Sequence, residues 1–543
     1  MIIEGNIVDI ARRRIFFGQL QVENTRILKV VEVDEERSNV PYVLPGFVDA
    51  HVHIESSMLV PSEFARLAIS HGTLATVSDP HEIANVMGME GVNYMIEHAQ
   101  NLPFHICYGA PSCVPATEFE TAGAKLEAED VRHLLEFPDV GYLSEMMNYP
   151  GVLFGDEEVL KKIEIAKQLG LPIDGHAPGL RGDEARKYID AGISTDHECY
   201  TIEEAIFKIE NGMKIIIREG SAAKNFEALW PLIDSFPDQV MLCSDDKHPD
   251  DLILGHINQL AERAISKGCD LYHILKAACT NAVAHYQLPV GQLNVGDYAD
   301  FILVKDLKTF LPMASYWKGD LVAKNGKALF QYVSAPVINK FDTHEKNLSE
   351  FQISADPEKE KVQVIEAIDG ELITKSFMTP LEVNNGLVQT SIERDILLIT
   401  VVNRYFDAPP ALGFIHGFGL QKGAIASSVA HDSHNIVAVG VDAEQVCIAV
   451  NQIIRTRGGV CAVSLDEAYV LPLPVAGIMS NEPAEIVARG YQKVDQYSKD
   501  VLGSKLRAPL MTLSFMALLV IPSLKMSDLG LFDGTHFRFT RVQ

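Results

Sequence analysis

The chain has 543 residues, 47% hydrophobic and 22% charged, an ordinary soluble globular composition with room for roughly two to four domains. With 46 Lys plus Arg against 73 Asp plus Glu, the net charge of −27 argues against nucleic acid or an anionic membrane surface as partner. A small neutral or cationic substrate stays open. The eight cysteines lie scattered in apolar contexts without a CxxC pair, and the N-terminus lacks a basic-then-apolar leader. Both point to free thiols and a cytoplasmic protein. The apolar stretch Leu510 to Leu524, interrupted by Pro522, is too short to span a bilayer and reads as core.

Residues 1–46 read as short strands, at Ile2-Ile3, Asn6–Ile10, Arg14–Gly18 and Arg26–Val33. So few strands cannot close a core alone. A second β-rich piece, Gly291–Val304 continuing through Leu321–Lys327, supplies a partner, which predicts a small β-sandwich (1–46 plus 290–340) split by an insertion.

Within 47–289, apolar runs alternate with helical patterns. The runs are Phe47–Val52, Leu74–Ser78, Phe104–Tyr108, Val140–Leu143, Ile173–Gly175, Ile193–Thr195, Lys214–Ile217 and Val240–Cys243. Between and after them, Pro61–Ser70, Ala84–Ala99, Glu127–Glu136, Glu157–Leu169, Asp183–Ala191, Ile202–Asn211, Asn225–Ser235 and Leu252–Lys267 mostly carry apolar residues at helical spacing. Eight strands alternating with eight helices predict a (β/α)8 TIM-type barrel. A doubly wound open sheet is the runner-up, disfavoured because no glycine-rich loop follows the first strand. From Thr343 to Lys361 the chain is polar, a connection into an additional C-terminal α/β domain over 341–543. There Val446–Val450 reads as strand or as part of a helix Ala443–Ile454. The fold class expected is α/β.

Polar residues fall at the predicted strand ends. His51 and His53 follow the first strand, Asp79, His81 and Glu82 the second, and Glu145 the fourth. His176, His197, Arg218 with Glu219, and Asp245 with Asp246 follow the fifth to eighth. Barrels build their active sites from these ends, so the residues should converge. Each alone has a plainer reading: an HxH pair can be incidental, His176 a loop histidine, Asp245 a helix N-cap. The remaining histidines are taken as structural.

Pro45-Gly46-Phe47-Val48-Asp49-Ala50-His51-Val52-His53, with Gly296-Asp297-Tyr298-Ala299-Asp300-Phe301, resembles the amidohydrolase superfamily of metal-dependent hydrolases. Three blocks, His51–Ser57, Ser78–Val86 and Ser144–Val152, narrow the resemblance to the bacterial and archaeal adenine deaminases, as does Ala430-His431-Asp432-Ser433-His434-Asn435. The resemblance implies two divalent ions, Mn²⁺ or Fe²⁺ suiting mixed imidazole and carboxylate ligands, with Zn²⁺ also compatible. It places His51 and His53 on one metal, His176 and His197 on the other, and Asp245 beside the first. Glu145 matches the glutamate that replaces the bridging carboxylated lysine of most relatives. It implies hydrolysis of adenine to hypoxanthine and ammonia, with Asp245 moving the proton and His81, Glu82 or Asp246 protonating or holding the purine. His431 and His434 are candidate substrate contacts, although a polar turn between two strands is the favoured reading of their segment. Another cyclic amide or amidine hydrolase, or a purine- or metal-binding protein without turnover, are the alternatives. A homodimer is assumed without a residue that argues for it.

Overall fold

The computed structural model describes residues 1–543. Strands Ile2–Asp9, Arg14–Glu23, Arg26–Glu35 and Tyr42–Leu44 join Phe301–Val304, Pro312–Trp317, Asp320–Lys324 and Lys327–Ala328 in one sheet. Tyr42–Leu44 is the seam, parallel to Ile2–Asp9 and antiparallel to Phe301–Val304. At the far edge the Ile27 N–H donates to Asp297 O and the Ala299 N–H to Thr25 O, each at 2.9 Å. Those bonds roll the sheet around Ile7, Phe16, Leu20 and Phe301, giving the β-sandwich.

Eight parallel strands follow in chain order: Phe47–Val52, Thr73–Ser78, His105–Ala110, Val140–Met146, Ile173–Gly175, Thr195–Asp196, Lys214–Arg218 and Val240–Cys243. The first five pair consecutively, as do the last three. The Ser194 N–H donates to Ile173 O (2.8 Å) across one seam, and the Asp245 N–H to His51 O (3.0 Å) across the other. The ring thereby closes. Val48, Val77, Tyr142, Ile216 and Met241, from strands around the ring, pack together against Tyr286 and Leu288.

Three expected helices are broken. Ala84–Ala99 becomes His81–Met87 and Met89–Ala99, because Gly88 between them has φ of 62°. Asn225–Ser235 divides into Phe226–Leu229 and Leu232–Ser235, where Pro231 interrupts the backbone bonding. Leu252–Lys267 divides into Pro249–Leu252 and Ile257–Ser266. The sixth strand, Thr195–Asp196, starts two residues later and ends one residue later than the expected Ile193–Thr195.

A second eight-stranded sheet fills the C-terminal part. Along its strand Ile396–Val402, Leu398 and Val402 pack under helix Ala443–Thr456 while Leu397, Ile399 and Val401 face the core shared with the barrel. The ambiguous stretch Val446–Val450 is helical: Asp442 caps it by accepting from the Gln445 N–H (2.8 Å), and Val446, Ala449, Val450 and Ile453 form one buried stripe. Leu510–Leu524 is buried over most of its length and contains helix Pro509–Phe515. No helix is long and apolar enough to cross a membrane.

Candidate metal centre

The first strand's pairing shifts register between Asp49 and Val52, an irregularity of the kind that re-aims side chains. Beyond it the Nε2 atoms of His51 and His53 lie 3.2 Å apart. Glu145, on the fourth strand, is the hub. Its Oε1 is 3.3 Å from His53 Nε2, and its Oε2 is 2.8 Å from His176 Nδ1 and 3.2 Å from His197 Nε2. Asp245 Oδ1 is 3.4 Å from His53 Nε2. All six residues are buried, so the structure brings together His51, His53, Glu145, His176, His197 and Asp245. Asp245 holds φ of 52°, a costly conformation for a residue with a side chain.

The donor set fits divalent cations. His53 Nδ1 faces the Asp79 carbonyl oxygen at 3.1 Å, which fixes the proton on Nδ1 and leaves Nε2 a bare lone pair. That lone pair then confronts Glu145 Oε1 and Asp245 Oδ1, with His51 Nε2 3.2 Å away, a cluster of lone pairs that a cation satisfies. Without a metal, a proton takes that place: against the opposing effect of burial, Asp245 and Glu145 hold the His53 imidazole well above its ordinary range. Burial and neighbouring His197 drive His51 the other way, to the neutral form a metal needs. The cavity wall carries six carboxylates (Glu82, Glu145, Glu198, Asp245, Asp246, Asp432) against one guanidinium, Arg218, a balance two divalent ions would nearly neutralise.

Arg218 and Glu198 complete the cluster. The Arg218 guanidinium bridges Glu198 and Asp245, with Nη2 3.2 Å from Glu198 Oε2. Burial favours the neutral acid, but Arg218 and then His53 keep the Asp245 carboxyl well below the usual carboxylate range. Glu198 Oε1 is 3.6 Å from His176 Nδ1 and 3.5 Å from His197 Nε2. Sequence reasoning missed Glu198; its place directly after His197 was the available signal. Glu219 turns away, its carboxylate 2.7 Å from Arg263 Nη1.

Across the cavity, the His81 Nδ1–H donates to Asp79 Oδ2 (3.0 Å), leaving Nε2 3.7 Å from Glu82 Oε1. Asp246 Oδ1 accepts from Ser56 Oγ at 2.5 Å. The segment Ala430–Asn435, expected as a polar turn, enters the cavity region, where His431 Nδ1 and His434 Nε2 close on the two oxygens of Glu82. Burial opposes both charges, yet Glu82 raises His431 to about 9 while His431 and His434 hold Glu82 well below its usual value. Met147, Leu372, Phe515 and Leu518 form the apolar wall, three of them from the C-terminal part.

The amidohydrolase family profile matches residues 42–333, and the adenine deaminase C-terminal domain matches 371–538. An adenine deaminase of Sulfurovum sp. (strain NBC37-1) is 52% identical over 539 residues, 99% of each chain. The chain belongs to the adenine deaminase family of the amidohydrolase superfamily. Family members from Salinibacter ruber (51% over 540 residues, 99% of this chain and 98% of that one) and Methanosarcina mazei (50% over 546 residues, 98% of each) match along the same length. The α/β amidohydrolase architecture with a β-sandwich and a separate C-terminal sheet therefore holds for the whole chain, as does a metal-dependent hydrolase class.

Proposed function

We propose that this chain is an adenine deaminase, converting adenine and water to hypoxanthine and ammonia. One observation carries the geometric side of this reading: imidazole and carboxylate donors for two divalent ions converge in a buried cavity that also has an apolar wall. His51, His53 and Asp245 would hold one ion, His176 and His197 the other, and Glu145 would span both, as its two oxygens face the two histidine pairs. Mn²⁺ or Fe²⁺ suits this mixture best, and Zn²⁺ is compatible. Such ions, when bound, bring the pKa of water to about 7 and so supply a nucleophile at neutral pH.

The chain's own groups do the rest. Asp245 Oδ1 takes the proton of the attacking water and returns it to the departing amino nitrogen; Oδ2 is committed to Arg218. His81, its Nδ1 fixed by Asp79, directs Nε2 toward the cavity and is better placed than Glu82 or Asp246 to protonate a ring nitrogen. Glu82 is engaged by His431 and His434, and Asp246 by Ser56, so both act in positioning. The fold excludes water from the reacting face with Phe515, Leu372 and Leu518.

The test is ammonia release from adenine before and after loading with Mn²⁺, with metal content measured in parallel. Metal-dependent release at about two ions per chain is expected. Two ions without release from adenine would redirect the search to other cyclic amidines and amides.

A further inference from the structure

The carboxylates around the cavity are not equivalent. Glu145 faces the ligand histidines, Asp245 and Glu198 are joined by Arg218, Glu82 is held between His431 and His434, and Asp246 accepts from Ser56. Asp432 differs. It is 3% exposed, it lines the cavity, and its Oδ2 is buried with no hydrogen-bond partner. Its Oδ1 lies 3.9 Å from His81 Nε2 and 3.8 Å from His431 Nδ1, both beyond hydrogen-bonding distance. Leaving a buried carboxylate oxygen in that state is unfavourable, so its natural complement is a ligand donor.

The chemistry of the substrate says which donor. Adenine offers two kinds of N–H, the exocyclic amino group and the ring N–H of its imidazole half. The amino group is bonded to the carbon under attack and must lie against the metal ligands. Asp432 sits on the far side of the His81 ring from Glu145, whose Oε1 is 3.6 Å from His81 Nδ1. An acceptor one imidazole beyond the reacting end meets the other half of a bicyclic purine. We propose that Asp432 accepts a hydrogen bond from the imidazole N–H of the purine and thereby selects the free base over N9-substituted purines. This assignment rests on the adenine deaminase reading. Nucleosides lack that N–H, and a substituent there would be driven into a buried carboxylate.

The test compares wild type with Asp432→Leu, nearly isosteric but without an acceptor, and Asp432→Asn, which keeps one. Each is metal-loaded and assayed with adenine and 9-methyladenine, taking the latter's Ki against adenine deamination where its turnover is undetectable. Asp432→Leu should lose about 10- to 150-fold in kcat/KM for adenine, the range for a hydrogen bond to a charged group. Its handling of 9-methyladenine should stay within about threefold of wild type, as expected for a contact that ligand never made. Asp432→Asn should lose less than Asp432→Leu, again for adenine alone, and it carries the comparison if Asp432→Leu does not fold. An equal loss for both purines at unchanged metal content, or an unchanged preference, overturns the assignment. A metal-loaded wild type that leaves adenine untouched overturns the functional reading beneath it instead.

Discussion

Glu145→Gln isolates the group proposed to tie the two halves of the candidate metal centre together. Glu145 Oε1 serves the His53 side at 3.3 Å, and Oε2 serves His176 at 2.8 Å and His197 at 3.2 Å. Glutamine keeps the shape but presents oxygen to one side only; the other side receives an NH₂ that cannot ligate, and the negative charge is gone. Removing one partner from a buried charged assembly costs about 3–5 kcal/mol. At about 1.4 kcal/mol per decade, metal affinity falls about 10²- to 10⁴-fold. The half left with the amide oxygen should keep more of its affinity, so loading should drop from about two ions toward one as chelator competition rises. Metal analysis after dialysis against graded chelator reads this directly, with circular dichroism checking the fold. A Glu145→Gln protein that keeps two ions at the chelator concentration tolerated by wild type refutes the spanning role.

Asp245→Asn should retain most of its metal while kcat drops about 10²- to 10⁴-fold, the usual contribution of a positioned acid–base group; near-normal turnover removes Asp245 from proton transfer. Loading the metal-free protein should expel protons, because the His53 imidazolium must deprotonate to ligate. Calorimetry in two buffers of different ionisation heat measures the count, and a count of zero contradicts the state assigned to His53. His431 lies at about 9 when folded against an ordinary 6.5, so its stabilisation is complete below about pH 6.5 and disappears as pH rises through 9. That shift corresponds to about 3 kcal/mol. The melting-temperature deficit of His431→Gln should therefore be largest near pH 6 and shrink above pH 9, and a pH-independent deficit counts against the Glu82 pairing.

The barrel was legible because each strand pairs a short apolar run with a polar residue at its C-terminal end, and the pattern repeats with helices between. His51, His53, Glu145, His176, His197 and Asp245 all sit at such ends, so their convergence follows from topology alone. Glu198 was hidden for a geometric reason. Residues 197 and 198 would face opposite sides of a strand, but the strand ends at Asp196 and the chain then turns both side chains inward. Asp432 lies in a turn, where periodicity says nothing about direction. The helix breaks at Gly88 and Pro231 were readable from residue type; the broad apolar spacing on either side masked them.

The barrel supplies the candidate metal ligands, and the C-terminal part adds Leu372, Phe515, Leu518 and the Ala430–Asn435 segment around them. His431 neutralises Glu82, which would otherwise be an unpaired charge at 1% exposure, and His434, which burial keeps neutral, donates its Nε2–H to the other oxygen. Phe515 stacks on His431 with ring centroids 5.1 Å apart, so the apolar wall and the ion pair are set by one contact. Lys525, with no exposed surface, reinforces that wall from behind: its Nζ donates to the carbonyls of Leu372 (2.6 Å) and Phe515 (2.9 Å). Burial lowers its pKa to about 7, so the ammonium gives up its proton far more readily than an exposed lysine does. The apolar wall of the cavity is thus held through the Leu372 and Phe515 carbonyls as well as by side-chain packing. In the proposed reaction His81 protonates a ring nitrogen only if bulk water does not reach it first, and Leu372, Phe515 and Leu518 are the apolar groups placed to limit that access.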